Sequence, residues 1–81
     1  MNIVKGSIVK AKSGRDKGGF FVVLDKDESF AVIADGRRRT LQAPKRKNLK
    51  HLEATKTVIE GSFETNPQIR RILSKFTQNG G

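Results

Sequence analysis

One unbroken apolar run in this chain, Phe20-Phe21-Val22-Val23-Leu24, is five residues long and is fenced by Gly19 and Asp25. A run that short, aromatic and β-branched, suits a strand covered on both faces over part of its length. The neighbouring segments are built alike. Ser7-Ile8-Val9-Lys10-Ala11-Lys12 is β-branched and roughly alternating, and it stops at Ser13-Gly14. Phe30-Ala31-Val32-Ile33-Ala34 follows the polar turn Asp25 to Ser29 and stops at Asp35-Gly36. These read as three successive strands, the second and third an antiparallel pair. Thr40-Leu41-Gln42 and Asn48-Leu49-Lys50-His51-Leu52 each supply a short strand with leucines inward, joined through Pro44 as a loop or edge, and Val58-Ile59 offers a last one. Five short antiparallel strands, drawn from these six candidate segments in under sixty residues, predict a mainly β fold, a small bent barrel over residues 1–60.

The periodicity then changes. Ile69, Ile72, Leu73 and Phe76 fall at i, i+3, i+4 and i+7, the stripe of one short C-terminal helix. Asn66 before Pro67 is one cap signal; Thr65 with Gln68, as a capping box, is another. The expected division is a linker over 61–66, a helix over 67–77 and a flexible tail over 78–81. A helix of about eleven residues is marginal alone. It must dock on the barrel, with Arg70, Arg71 and Lys75 on its opposite side, or on a partner protein.

Eighty-one residues hold one core and no more. Without cysteine there is no disulfide and no thiolate metal site, and a single histidine removes the usual zinc, haem and Ser-His chemistries. No activated nucleophile or acid–base pair is visible, so a non-enzyme without catalytic residues, metal or cofactor is expected. No apolar stretch approaches the roughly 18–20 residues of a membrane span, and the first five residues lack the apolar core of a secretory signal. The expectation is a cytoplasmic monomer with no membrane partner. Its charge is the stronger clue: 17 Lys and Arg against 8 Asp and Glu give a formal +9. Seven of those cations lie between residues 37 and 51, with no carboxylate among them. Such clustering is the footprint of a polyanion partner, nucleic acid first.

The segment Gly6-Ser7-Ile8-Val9-Lys10-Ala11-Lys12-Ser13-Gly14-Arg15-Asp16-Lys17-Gly18-Gly19, running into Phe20 to Leu24, resembles the KOW motif of ribosomal proteins and transcription elongation factors. With the Asp27-Glu28-Ser29-Phe30 and Asp35-Gly36 turns, the arginine run and Asn48-Leu49-Lys50-His51-Leu52-Glu53-Ala54-Thr55, it is similar to the archaeal and eukaryotic large-subunit ribosomal protein family known as fourteen-e. The resemblance covers roughly residues 5 to 55. It departs from the family in lacking an insertion and a long C-terminal extension, in having Ala54 where proline is common, and in extra residues around Leu41 to Arg46. It implies an SH3-like barrel that binds ribosomal RNA, here as a short bacterial relative associated with translation. It also implies RNA or the ribosome as partner, with ribosomal proteins reached through the C-terminal helix.

The candidate RNA contacts fall in two groups. Lys12, Arg15, Lys17 and Gly18 belong to the first turn, where glycines let backbone N–H groups approach phosphate and Asp16 braces the turn. Arg37, Arg38, Arg39, Lys45, Arg46, Lys47, Lys50 and His51 form a phosphate-binding ribbon, with Arg37 and Arg39 on one face and Arg38 on the other. His51 beside Leu49 and Leu52 also reads as a cap on a barrel end. Phe20 and Phe21 point to opposite faces, so one is a candidate base-stacking surface and both are candidate core. Two rival readings use the same residues: DNA or nucleoid binding, and an SH3-like grip on an acidic or proline-rich peptide, which the absence of Tyr and Trp disfavours.

Overall fold

The computed structural model describes residues 2–60 and 63–78. Five antiparallel strands form one sheet: β1 (Ser7–Ala11), β2 (Phe20–Lys26), β3 (Phe30–Ala34), β4 (Lys45–Asn48) and β5 (Leu52–Val58). A 3-10 turn, Leu49–His51, joins β4 to β5, and helix α1 (Asn66–Gln78) follows β5. The strand order is β4-β3-β2-β1-β5. This is a mainly β, SH3-like arrangement with one C-terminal helix, but the barrel does not close, because β4 and β5 are not hydrogen-bonded to each other. The beginning of the expected linker, residues 61–62, and most of the expected tail, residues 79–81, lie outside the described residues.

Two register shifts bend the sheet. One falls in β1 against β5 between Ser7 and Val9, the other in β2 against β3 between Val23 and Asp25. At the first, Ile8 leaves the ladder and its carbonyl accepts instead from the Thr55 hydroxyl at 2.7 Å. A bulge would otherwise leave that buried acceptor without a partner.

The sheet carries a core on each face, not the single core expected for a chain of this length, and this explains the apolar run of β2. Phe21 and Val23 join Val9, Ala11, Ala31, Ile33 and Leu52 on the inner face. Val22 joins Ile8, Ala34, Ile69 and Leu73 on the other, with Phe20, Leu24, Leu41, Ile59, Phe63, Ile72 and Phe76 packed around them. The helix therefore docks on its own sheet through the expected stripe, and Phe20 meets Phe76 edge-to-face at 5.2 Å. Its N-terminus is the capping box: the Thr65 hydroxyl accepts from Gln68 N–H at 3.3 Å while Gln68 Oε1 accepts from Thr65 N–H at 3.0 Å. Asn66 is not the cap. Its Oδ1 accepts from Leu41 N–H and its amide donates to Gln42, tying the helix to the β3–β4 connection.

Several expected elements are corrected. Thr40 to Gln42 is no strand but part of a tight turn closed by a lone Thr40–Ala43 bridge. The fourth strand is the polar Lys45–Asn48 instead, an edge that begins after Pro44. Leu49 to His51 coil into the 3-10 turn, where Asn48 Oδ1 accepts from Lys50 N–H at 2.9 Å. The last strand starts six residues earlier than Val58 and ends there.

Candidate functional site

Both groups of candidate cations meet around the β1–β2 loop, Lys12 to Gly19. Gly14, at φ +77°, turns the chain into it. The loop is tied to both edges of the open sheet. Lys12 N–H donates to the His51 carbonyl at 2.8 Å, at the start of β5. Across the gap, Lys47 of β4 donates from Nζ to the Ser13 carbonyl at 2.7 Å.

Asp16 holds this junction. It is the one buried carboxylate among the described residues, 8% exposed. Arg39 grips it with two bonds, Nε to Oδ1 at 3.3 Å and Nη2 to Oδ2 at 3.1 Å, and Lys47 Nζ stands 3.9 Å from Oδ2. A fork of this kind fixes orientation as well as charge. Asp16 thus braces more than its own turn: it joins the loop to the β3–β4 connection and to β4. The three groups still sum to one positive charge.

The strand alternation explains why Lys47 is inside. Lys45 and Lys47 stand opposite Ile33 and Ala31, which belong to the inner core, whereas Arg46 stands opposite Val32 on the outer face. Lys47 is 9% exposed, its stem over apolar surface and its ammonium at the rim. Lys45, at the start of the strand, remains exposed.

Arg37, Arg38 and Arg39 are not a ribbon with alternating faces. They form a bend organised by Asp35, whose Oδ1 accepts from Arg37 N–H at 2.8 Å and Arg39 N–H at 2.9 Å, while the Arg39 carbonyl accepts from Asp35 and Gly36 N–H. The bend is pinned from behind by the helix, where Arg70 donates to the Gly36 carbonyl at 2.7 Å. Arg70 is therefore half-buried against the fold, and only Arg71 and Lys75 of the helix cations are exposed. Arg39 faces Asp16, and Arg37 and Arg38 are left in solvent.

Of the expected glycine cradle, Gly18 and Gly19 turn their N–H groups into the loop itself. Gly18 N–H donates to the Ala11 carbonyl at 2.9 Å, Gly19 N–H to the Asp16 carbonyl at 2.9 Å, and Lys17 N–H to the Gly14 carbonyl at 3.2 Å. These three donors are used in closing the turn. Lys12, Arg15, Lys17, Arg37, Arg38, Lys45 and Lys50 are all exposed and have no ion-pair partner among the described residues. His51 is exposed, and its backbone carbonyl makes the tie to Lys12.

Arg46 is engaged differently. Its guanidinium lies 3.9 Å from the centre of the Phe30 ring, and its Nη2 is 3.7 Å from Asp27 Oδ2. Arg46 opposes Val32, so Phe30, two residues back along β3, is its diagonal neighbour on the outer face. Asp27 Oδ1 also accepts from Ser29 and Phe30 N–H, both at 2.8 Å. Those backbone bonds, with the Arg46 charge, hold the Asp27 carboxyl below the usual carboxylate range. Phe20 and Phe21, candidates both for base stacking and for the core, pack in the cores. Of the five phenylalanines only Phe30 belongs to neither. The signal available was its place beside Val32 on the face opposite Ala31 and Ile33.

No protein-family model matches the chain, and no curated protein matches it. Among the described residues no helix is long and apolar enough to cross a membrane.

Proposed function

We propose that this protein binds structured RNA, ribosomal RNA above all, without catalysing a reaction, as a KOW-type domain associated with translation. The supporting observation is the set of seven exposed cations without ion-pair partners, carried on segments that the Asp16–Arg39–Lys47 network joins. Like charges held this close repel one another, and a polyanion relieves that repulsion while releasing its own counterions. Three segments on a rigid frame also match the irregular backbone of folded RNA better than a flat surface would. The short-motif resemblance to KOW proteins adds the preference for RNA over DNA.

With about four to six phosphates contacted at once, the log of the binding constant falls against the log of salt with a slope of about −3 to −5. The test is a titration at several salt concentrations against ribosomal RNA fragments, duplex DNA and an acidic peptide. The reading expects RNA to win by about tenfold or more near physiological salt, with that slope. Equal affinity for RNA and DNA, or preference for the peptide, would overturn it.

A further inference from the structure

At the end of β2 away from the cationic loop lies a shallow recess of different chemistry. Asp27, Glu28, Ser29, Phe30 and Arg46 line a space of about 340 Å³ at the β2–β3 turn. That is near the lower end of the roughly 300–1,000 Å³ typical of small-molecule sites, room for one planar ring and part of its sugar. Two of these residues are the pair already described, Arg46 with its guanidinium 3.9 Å from the centre of the Phe30 ring. The Arg46 side chain is 62% exposed, so the outer face of its guanidinium plane is open to a second flat partner.

The charge of the recess selects what can enter. Two carboxylates against one guanidinium leave it locally negative, which disfavours a phosphate. Ionised carboxylates only accept hydrogen bonds. They therefore suit a neutral flat ring that carries N–H donors. The neighbouring surface supplies the opposite sign: Leu49 N–H donates to the Ser29 carbonyl at 2.9 Å, which places the 3-10 turn that carries Lys50 at the edge of this hairpin.

Resting on the RNA reading, we propose that the recess is a nucleobase subsite, in which an unpaired base bearing an exocyclic amino group stacks on Arg46 over Phe30 and donates to the carboxylates of Asp27 and Glu28. Unpaired bases are bound in this way, by stacking on aromatic or guanidinium planes with hydrogen bonds to their edges. Uracil, whose one base-edge N–H is flanked by two carbonyl oxygens that a carboxylate repels, is the disfavoured base. Phosphates flanking the base reach the cations outside the recess.

The test compares single-stranded oligocytidine and oligouridine of equal length, which carry the same number of phosphates and differ in the amino group. Oligocytidine is expected to bind about fivefold or more tightly, and to move the Phe30 ring and Arg46 Nε–H resonances in NMR spectra. Arg46→Lys keeps the charge but removes the plane, and should bring the ratio close to one; folding of the variant is checked by its amide spectrum. Equal affinity of the two oligomers with Phe30 unmoved, while structured RNA still binds with its salt slope, would overturn the subsite and leave the RNA reading standing. Failure of every RNA to bind would overturn both.

Discussion

Replacing Asp16 with asparagine keeps the side chain's shape and removes the charge that holds the loop to Arg39 and Lys47. Removing one partner of a buried ion pair costs about 3–5 kcal/mol, because the other charge stays buried. The Arg39 side chain is 28% exposed and can turn to water, so its share falls toward the ~0–1 kcal/mol of surface pairs. Lys47, 9% exposed, cannot leave so easily and keeps only the Ser13 carbonyl. The expected loss is about 2–3 kcal/mol. For a domain of this size that is a fall in Tm of roughly 10–20 °C, read by thermal and urea melts. Adding Lys47→Met, which leaves an apolar stem where the buried cation was, should recover part of the loss in a double-mutant cycle. The variant is also one unit more positive, so a diffuse electrostatic surface would bind RNA more tightly. The network account expects weaker binding, since the released loop must be ordered again on the RNA. An Asp16→Asn protein that melts within about 2 °C of its parent and binds RNA more tightly would refute the reasoning.

Other consequences follow from the packing. Leu73→Ala empties a buried position between helix and sheet and should cost about 2–5 kcal/mol by urea denaturation. Gly36→Ala places a Cβ 2.5 Å from the Asn66 carbonyl oxygen at φ +77°, so the helix start must shift; a loss of at least about 2 kcal/mol is expected in the same melts. The Asp27 carboxyl is held below the ordinary carboxylate value, so its contribution is fully present above the unfolded pKa and lost as pH falls through the folded one. Urea midpoints taken on acidification below about pH 4 should therefore fall less steeply in Asp27→Asn than in the parent.

Where apolar residues alternate or repeat with a helical period, the sequence was enough to read the fold. β1, β2 and β3 fall where the runs of residues 7–12, 20–24 and 30–34 put them, and the stripe from Ile69 to Phe76 docks as expected. β4 was illegible because Lys45-Arg46-Lys47-Asn48 has no apolar residue to mark its inner face; the inward residue is a lysine whose stem serves as the apolar part. Leu41 misled in the opposite sense, since its burial comes from a turn lying against the helix. The basic site was legible as a cluster of charge but not as a structure. Nothing in local sequence shows that Asp16 reaches across to Arg39, 23 residues later, or that Lys47 is bonded to Ser13, 34 residues earlier. Those contacts decide which cations are engaged within the fold and which remain open.

The open cations around the β1–β2 loop are proposed to act as one RNA-binding surface, and this unity can be observed directly. It is tested most directly by following backbone amide and arginine side-chain resonances while a structured ribosomal RNA fragment is added. The account predicts shifts concentrated in residues 12–19, 37–39 and 45–51, reversed by salt, with the exposed helix face at Arg71 and Lys75 unmoved. Shifts confined to that helix face, or spread evenly over every exposed lysine and arginine, would contradict it.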